Sequence, residues 1–327
     1  MHSHSRMALR TLAALFVLLT ACASESSAPT GPTARGGADR TGSGTGTSTG
    51  THVTVGSFDF AESELLAELY SQALEGGGYT VRRAFNLGPR EFVAPALARG
   101  LVDLVPEYAG TALQFVSLGR ALPAADPAAT RQALLEALRD TGVTALDAAP
   151  AQDANAFVAT RATADRLGLT RLSDLGRLGD LAGAGPSLIL GGPPECASRP
   201  LCALGLERVY GARFGEVVAL DAGGPLTLQA LRTGVVDVAL LFTSDPAIAD
   251  EAFVQLADDK ALQPAENIVP LVRTAVLEGS GPRLAELVDA VSRNLTTDDL
   301  RGLNRAVAGG GGVGAVAAGW LAEKGVR

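Results

Sequence analysis

Hydrophobic and polar positions alternate with two distinct periods along the body of the chain. Val53–Val55 is a short β-rich run ending at Gly56, and Leu65, Leu66, Leu69 and Leu74 then recur at helical spacing until Gly76, Gly77 and Gly78 stop the pattern. A strand followed by an amphipathic helix is predicted. Thr80–Phe85 reads as a second strand, residues 131–138 as a helix, and Leu188–Leu190 and Val235–Phe242 as further strands. Strands alternating with helices argue for α/β architecture with parallel sheets. An internal echo sharpens this: Ala96-Leu97-Ala98-Arg99-Gly100-Leu101-Val102-Asp103 and Ala230-Leu231-Arg232-Thr233-Gly234-Val235-Val236-Asp237 share the pattern A-L-x-x-G-x-V-D. In both copies a helix ends, a glycine supplies the left-handed cap, and a buried strand begins. Five residues beyond each aspartate stands an aromatic, Tyr108 and Phe242, where each strand runs out. The carboxyl ends of strands are the edge at which open α/β sheets bind ligands, so two such lobes facing one another enclose a cleft.

The first residues follow another pattern. Arg6 and Arg10 precede an apolar run, Leu12–Leu19, that is short for a bilayer span and suits a secretion signal. The following Leu19-Thr20-Ala21-Cys22 resembles the lipobox of bacterial lipoproteins, which implies a signal peptide over 1–21 and a lipidated Cys22 as the first mature residue. The alternative is an ordinary signal peptide with an incidental cysteine. Residues 22–51 are rich in Ser, Thr, Gly and Pro, with almost no large apolar side chain; such a segment cannot offset the entropy of ordering and is expected to be a flexible tether. An exported chain then holds two further cysteines, Cys196 and Cys202, which favours a disulfide closing a small loop over two free thiols.

Composition narrows the function classes. The 327 residues suit two lobes, and the net charge of −8 with scattered basic residues leaves no positive stripe for nucleic acid. The three histidines, His2, His4 and His52, all precede the folded body or stand at its start, which disfavours His-based metal sites and Ser-His-Asp catalysis. No catalytic residue, metal or cofactor is expected. The glycine run Gly309–Gly312 lacks the Lys-Ser or Lys-Thr of a phosphate loop and is assigned to a turn.

Ordered motifs from His52 to the end then carry a family resemblance: V-T-V-G-S at Val53–Ser57, N-L-G at Asn86–Gly88, P-E-Y-A-G-T at Pro106–Thr111, L-D-A-G-G-P-L-T at Leu220–Thr227, D-D-K at Asp258–Lys260 and L-T-T-D-D-L at Leu295–Leu300. The chain resembles the substrate-binding proteins of osmoprotectant ABC importers, which handle glycine betaine, choline, carnitine and related quaternary amines. The resemblance implies the type II periplasmic-binding-protein fold, with lobe 1 from 52–153 and 265–327, lobe 2 from 154–264, and crossings near Asp153 and Pro264. It also implies a permease and its ATPase as partners of a monomeric, membrane-anchored receptor.

Transferred residue by residue, the family's ligand cage maps to Tyr108 as an aromatic wall, Thr111 as a polar contact, Phe242 as a second aromatic and Arg199 on the ligand carboxylate. Aromatic faces attract quaternary ammonium through the ring quadrupole. Phe58 stands where many relatives have lysine, Asn155 and Glu266 replace two expected tyrosines, and Asp153 matches an acidic position lining the site. The expected mechanism is capture by hinge closure. The competing classes are a receptor for a different polar or cationic solute, a sensor that feeds no transport, and an exported enzyme on the same frame.

Overall fold

The computed structural model describes residues 52–180 and 188–326; the signal segment, the tether and Cys22 lie outside them. Among the described residues, ten strands form two five-stranded sheets. The first contains β1 (His52–Gly56), β2 (Thr80–Ala84), β3 (Leu104–Tyr108), β4 (Val143–Ala145) and β10 (Ile268–Arg273) in the order β2-β1-β3-β10-β4. The second contains β5 (Asn155–Ala159), β6 (Ile189–Gly192), β7 (Glu216–Ala219), β8 (Val238–Phe242) and β9 (Val254–Gln255) in the order β7-β6-β8-β5-β9. Each has its own core. Buried residues from 53–151 and 268–326 pack around the first sheet, and residues from 156–256 pack around the second. The molecule is a two-lobed α/β protein.

The predicted helix after β1 is Ala61–Gly76, and it buries Leu65, Leu66, Leu69, Tyr70 and Leu74 against the first core. Each fully buried leucine contributes on the order of 1.5–3 kcal/mol of transfer free energy. The helix expected over 131–138 starts earlier, at Pro127, because Asp126 accepts a hydrogen bond from the Ala129 N–H and proline suits the first helical position. Neither sheet is purely parallel. β1, β2 and β3 run parallel, as do β6, β7 and β8, but β10 is antiparallel to β3 and β4, and β5 to β8 and β9. The reason is the crossings: β5 and β10 each begin just after the chain passes from the other lobe, so they enter at the edge where the parallel strands end.

The echoed segments adopt the same structure in both lobes. Gly100 and Gly234 have φ of +75° and +73°, the left-handed conformation that glycine adopts without steric cost. Asp103 then clips β1: its N–H donates to the Thr54 carbonyl (2.7 Å) and its carboxylate accepts from the Thr54 N–H (2.8 Å). Asp237 does the same to Ile189 of β6, at 2.9 and 3.0 Å. Leu101 and Val235, inside the matched pattern, are exposed, so the second strand starts at Val238 rather than Val235.

Candidate functional site

β3 and β8 deliver Tyr108 and Phe242 to a common cleft of about 1490 Å³ lined by residues of both sheets. The two crossings run side by side at its base. The Asp153 N–H donates to the Glu266 carbonyl (3.0 Å), and Gln152 and Asn267 form an antiparallel bridge. On one side, the helix Thr297–Ala308 reaches the second sheet's lobe: Arg301 donates to the Thr243 carbonyl (2.7 Å) and to Gln255 (3.3 Å), and Arg305 pairs with Asp250.

A third aromatic joins Tyr108 and Phe242 in the cleft lining. Tyr108 is 7% exposed and stacks on Phe60, with ring centroids 6.2 Å apart and planes inclined by 28°. Phe60 is 43% exposed and lines the cleft, whereas Phe58 is 3% exposed, packs in the first core and stacks on Phe60 with ring centroids 5.8 Å apart. Phe58, a candidate ligand contact by sequence, thus belongs to the core and not to the cleft lining. The Arg90 guanidinium lies 5.3 Å from the Phe58 ring and makes a bidentate pair with Glu107 at 2.9 and 2.8 Å.

Three carboxylates converge on the cleft. Glu62, in the first turn of the helix after β1, accepts from the Tyr108 hydroxyl (2.7 Å) and from the Asn304 amide (2.6 Å). Asn304 also donates to the Ser244 carbonyl (3.3 Å), and the Ser244 hydroxyl donates to Asp153 (2.6 Å). This chain of hydrogen bonds passes from the first lobe to the second and ends on a crossing. Glu266, 5% exposed, lies against the start of the helix Ala109–Val116, where its carboxylate accepts from the Gly110 and Thr111 N–H groups, both at 3.1 Å, and from the Thr111 hydroxyl at 3.4 Å. A Cβ on Gly110 would stand 2.8 Å from the nearer Glu266 oxygen, so the approach requires glycine. Thr111 is thus engaged within the protein, also accepting from Arg90 (3.0 Å).

Burial sets the protonation of this trio. It pushes the Asp153 carboxyl up to about 8, with the Glu62 charge adding to the effect and hydrogen bonds from Ser244 opposing it. Glu62 is raised by burial, with Asn304 and Tyr108 opposing. Glu266 is raised to about 7 by burial against the pull of the Thr111 N–H, Arg90 and the Gly110 N–H. The Tyr108 hydroxyl is raised by burial and then by the Glu62 charge, so it stays a neutral donor.

The remaining candidates form the outer wall. Asn155 donates to the Leu201 carbonyl (3.2 Å) and Gln263 (3.1 Å), which bind it to the loop carrying Arg199. Cys196 and Cys202 are joined by a disulfide that closes this loop, and Arg199 on it is 63% exposed in its side chain and paired with Glu195 at 3.0 Å. Sequence reasoning overlooked Phe60, Glu62, Ser244 and Asn304. The strand-end rule applied to β1 points to Phe60 and Glu62, whereas Asn304 lies on a distant C-terminal helix with no local signal.

With this geometry, comparison with known proteins is specific. The family model for the substrate-binding domain of ABC-type glycine betaine transport systems matches residues 51–323. The glycine betaine-binding protein YehZ of Escherichia coli is 28% identical over 281 residues, 84% of this chain and 90% of the relative. A glycine-betaine-binding protein of Pseudomonas aeruginosa is 27% identical over 258 residues, 77% of this chain and 81% of the relative. A crystal structure described as a glycine betaine/carnitine/choline ABC transporter superimposes with a TM-score of 0.74 at 24% identity, covering 84% of this chain and 99% of that one.

Proposed function

Because the chain belongs to the substrate-binding domains of ABC-type glycine betaine transport systems, a family that binds solutes for transport and is not one of enzymes, we propose that it captures a quaternary ammonium osmoprotectant outside the cytoplasm for import. The observation that carries this reading is the stacked Phe60–Tyr108 pair lining the same cleft as Phe242, with carboxylates beside it. A desolvated cation over an aromatic face gains about 0.5–2 kcal/mol per contact, and the neighbouring carboxylates add to the attraction where they are ionised.

In this proposal lobe 1 is 52–153 with 265–327, lobe 2 is 154–264, and the paired crossings at Asp153 and Glu266 are the hinge. A ligand touching both walls favours the closed state because it gains contacts there that the open state lacks. Arg199, on its disulfide-closed loop, and Asn155 belong to the second lobe's wall. Cys22 is the lipid anchor, a permease and its ATPase receive the solute, and the receptor acts as a monomer.

Isothermal titration and thermal shift with glycine betaine, choline, carnitine and ectoine test the reading. At least one quaternary amine is expected to bind, and Tyr108→Ala to weaken it about tenfold. A protein that binds none of the four refutes the osmoprotectant assignment while leaving the fold untouched.

A further inference from the structure

At two helix starts that border the cleft, the donors that would suit a ligand carboxylate are already taken by the protein itself. At the start of the helix Ala109–Val116, a helix N-terminus that would suit an anion, Glu266 accepts from the Gly110 and Thr111 N–H groups. The helix Pro225–Arg232 also begins among cleft-lining residues, and there Asp221 accepts from the Leu226 N–H (3.0 Å), the Thr227 N–H (2.8 Å) and the Thr227 hydroxyl (2.7 Å). Both anion sites hold an internal carboxylate.

The cations are engaged as well. Arg199 and Arg305 are the basic residues that line the cleft; Arg199 pairs with Glu195 and Arg305 with Asp250, and both of those acids line the cleft too. Such half-exposed pairs are weak, so either arginine can turn, but its acid stays beside it to repel a second carboxylate. At the base the balance is negative once Glu62 and Asp153 are ionised. Glu62 and Asp153 are held by neutral donors, Tyr108, Asn304 and Ser244, and neither has an ion-pair partner among the described residues. A zwitterion would bring a third carboxylate toward them, whereas a cation without one meets only attraction.

We infer that this cleft selects net-cationic amines lacking a carboxylate, of the choline kind, over zwitterionic betaines, and that Glu62 and Asp153 set that preference. The inference rests on the quaternary-amine reading above and narrows it. The trimethylammonium group sits against the Phe60–Tyr108 stack in either case; discrimination comes from the opposite end of the ligand, through repulsion of the disfavoured carboxylate as much as attraction to the cation.

The test compares choline and glycine betaine, which share the trimethylammonium group, by equilibrium titration of the purified protein at mildly alkaline pH. Choline is expected to bind at least about tenfold more tightly. Glu62→Gln and Asp153→Asn, which keep shape and remove charge, are expected to weaken choline about tenfold more than they weaken glycine betaine, narrowing the ratio. A cooperative melt of each unliganded variant establishes that it folds; if one does not, the wild-type ratio decides. Glycine betaine binding as tightly as choline, or more tightly, overturns the inference and leaves the quaternary-amine reading standing. Failure of both compounds, and of carnitine and ectoine, overturns that reading and the inference with it.

Discussion

Glu266 stands where the family resemblance implies an aromatic, and its carboxylate, beside the cleft, caps a helix. That exchange alters the pH response. Asp153 and Glu266 have folded-state values of about 8 and about 7, above the ordinary carboxylate value near 4. A group of this kind binds more protons folded than unfolded between those limits, so its stabilising contribution is full below about pH 4 and is lost as pH rises through the folded value. The unliganded protein should lose melting temperature from these groups between about pH 5 and pH 8, and Asp153→Asn and Glu266→Gln should each flatten that slope. Melting curves across the range check this, and a slope unchanged in both variants contradicts it. Phe58→Ala and Phe60→Ala should separate. The first removes a core ring at about 3–5 kcal/mol of stability, and the second lowers quaternary amine affinity with little change in melting. Tyr108 was legible because a strand-end aromatic sits within P-E-Y-A-G-T. The substitution at Glu266 was visible, but its role was not, since the Gly110 and Thr111 N–H groups it caps are 156 and 155 residues away.

Among the elements, the two aspartate clips are the joints on which each sheet is hung. Asp103→Ala leaves the Thr54 N–H without its acceptor and Asp237→Ala does the same to Ile189, each at a cost of about 1–3 kcal/mol. Chemical denaturation should show both losses, and a variant as stable as the parent would mean that the clip contributes nothing to stability. The glycine cap and the strand start were readable in A-L-x-x-G-x-V-D, because backbone conformation is encoded within a few residues. Other motifs behind the resemblance are joints too. Thr296 and Asp299 form a capping box for Thr297–Ala308, Asp221 caps Pro225–Arg232, and Ser57 binds the backbone of Asn86. They report fold more firmly than ligand. The antiparallel strands escaped the sequence reading, because the direction in which a strand enters a sheet depends on where the chain arrives from.

For the molecule as a whole, a ligand at a hundredfold excess over its Kd should add about 2.7 kcal/mol to stability. The two-lobed plan was legible from repetition, but the acidic base of the cleft was not, since Glu62, Asp153, Ser244 and Asn304 come from four separated stretches of chain. One consequence of the strand order concerns time. β10 lies between β3 and β4, so the first sheet lacks an inner strand until Ile268–Arg273 has been made, while the second sheet is complete by Gln255. A fragment spanning 154–264 should therefore melt cooperatively by itself, and one spanning 52–264 should show only that same transition, with the N-terminal part unstructured. As the chain emerges from its N-terminus, the lobe begun second is finished first, and the opening half waits as an incomplete sheet with β3 and β4 unjoined.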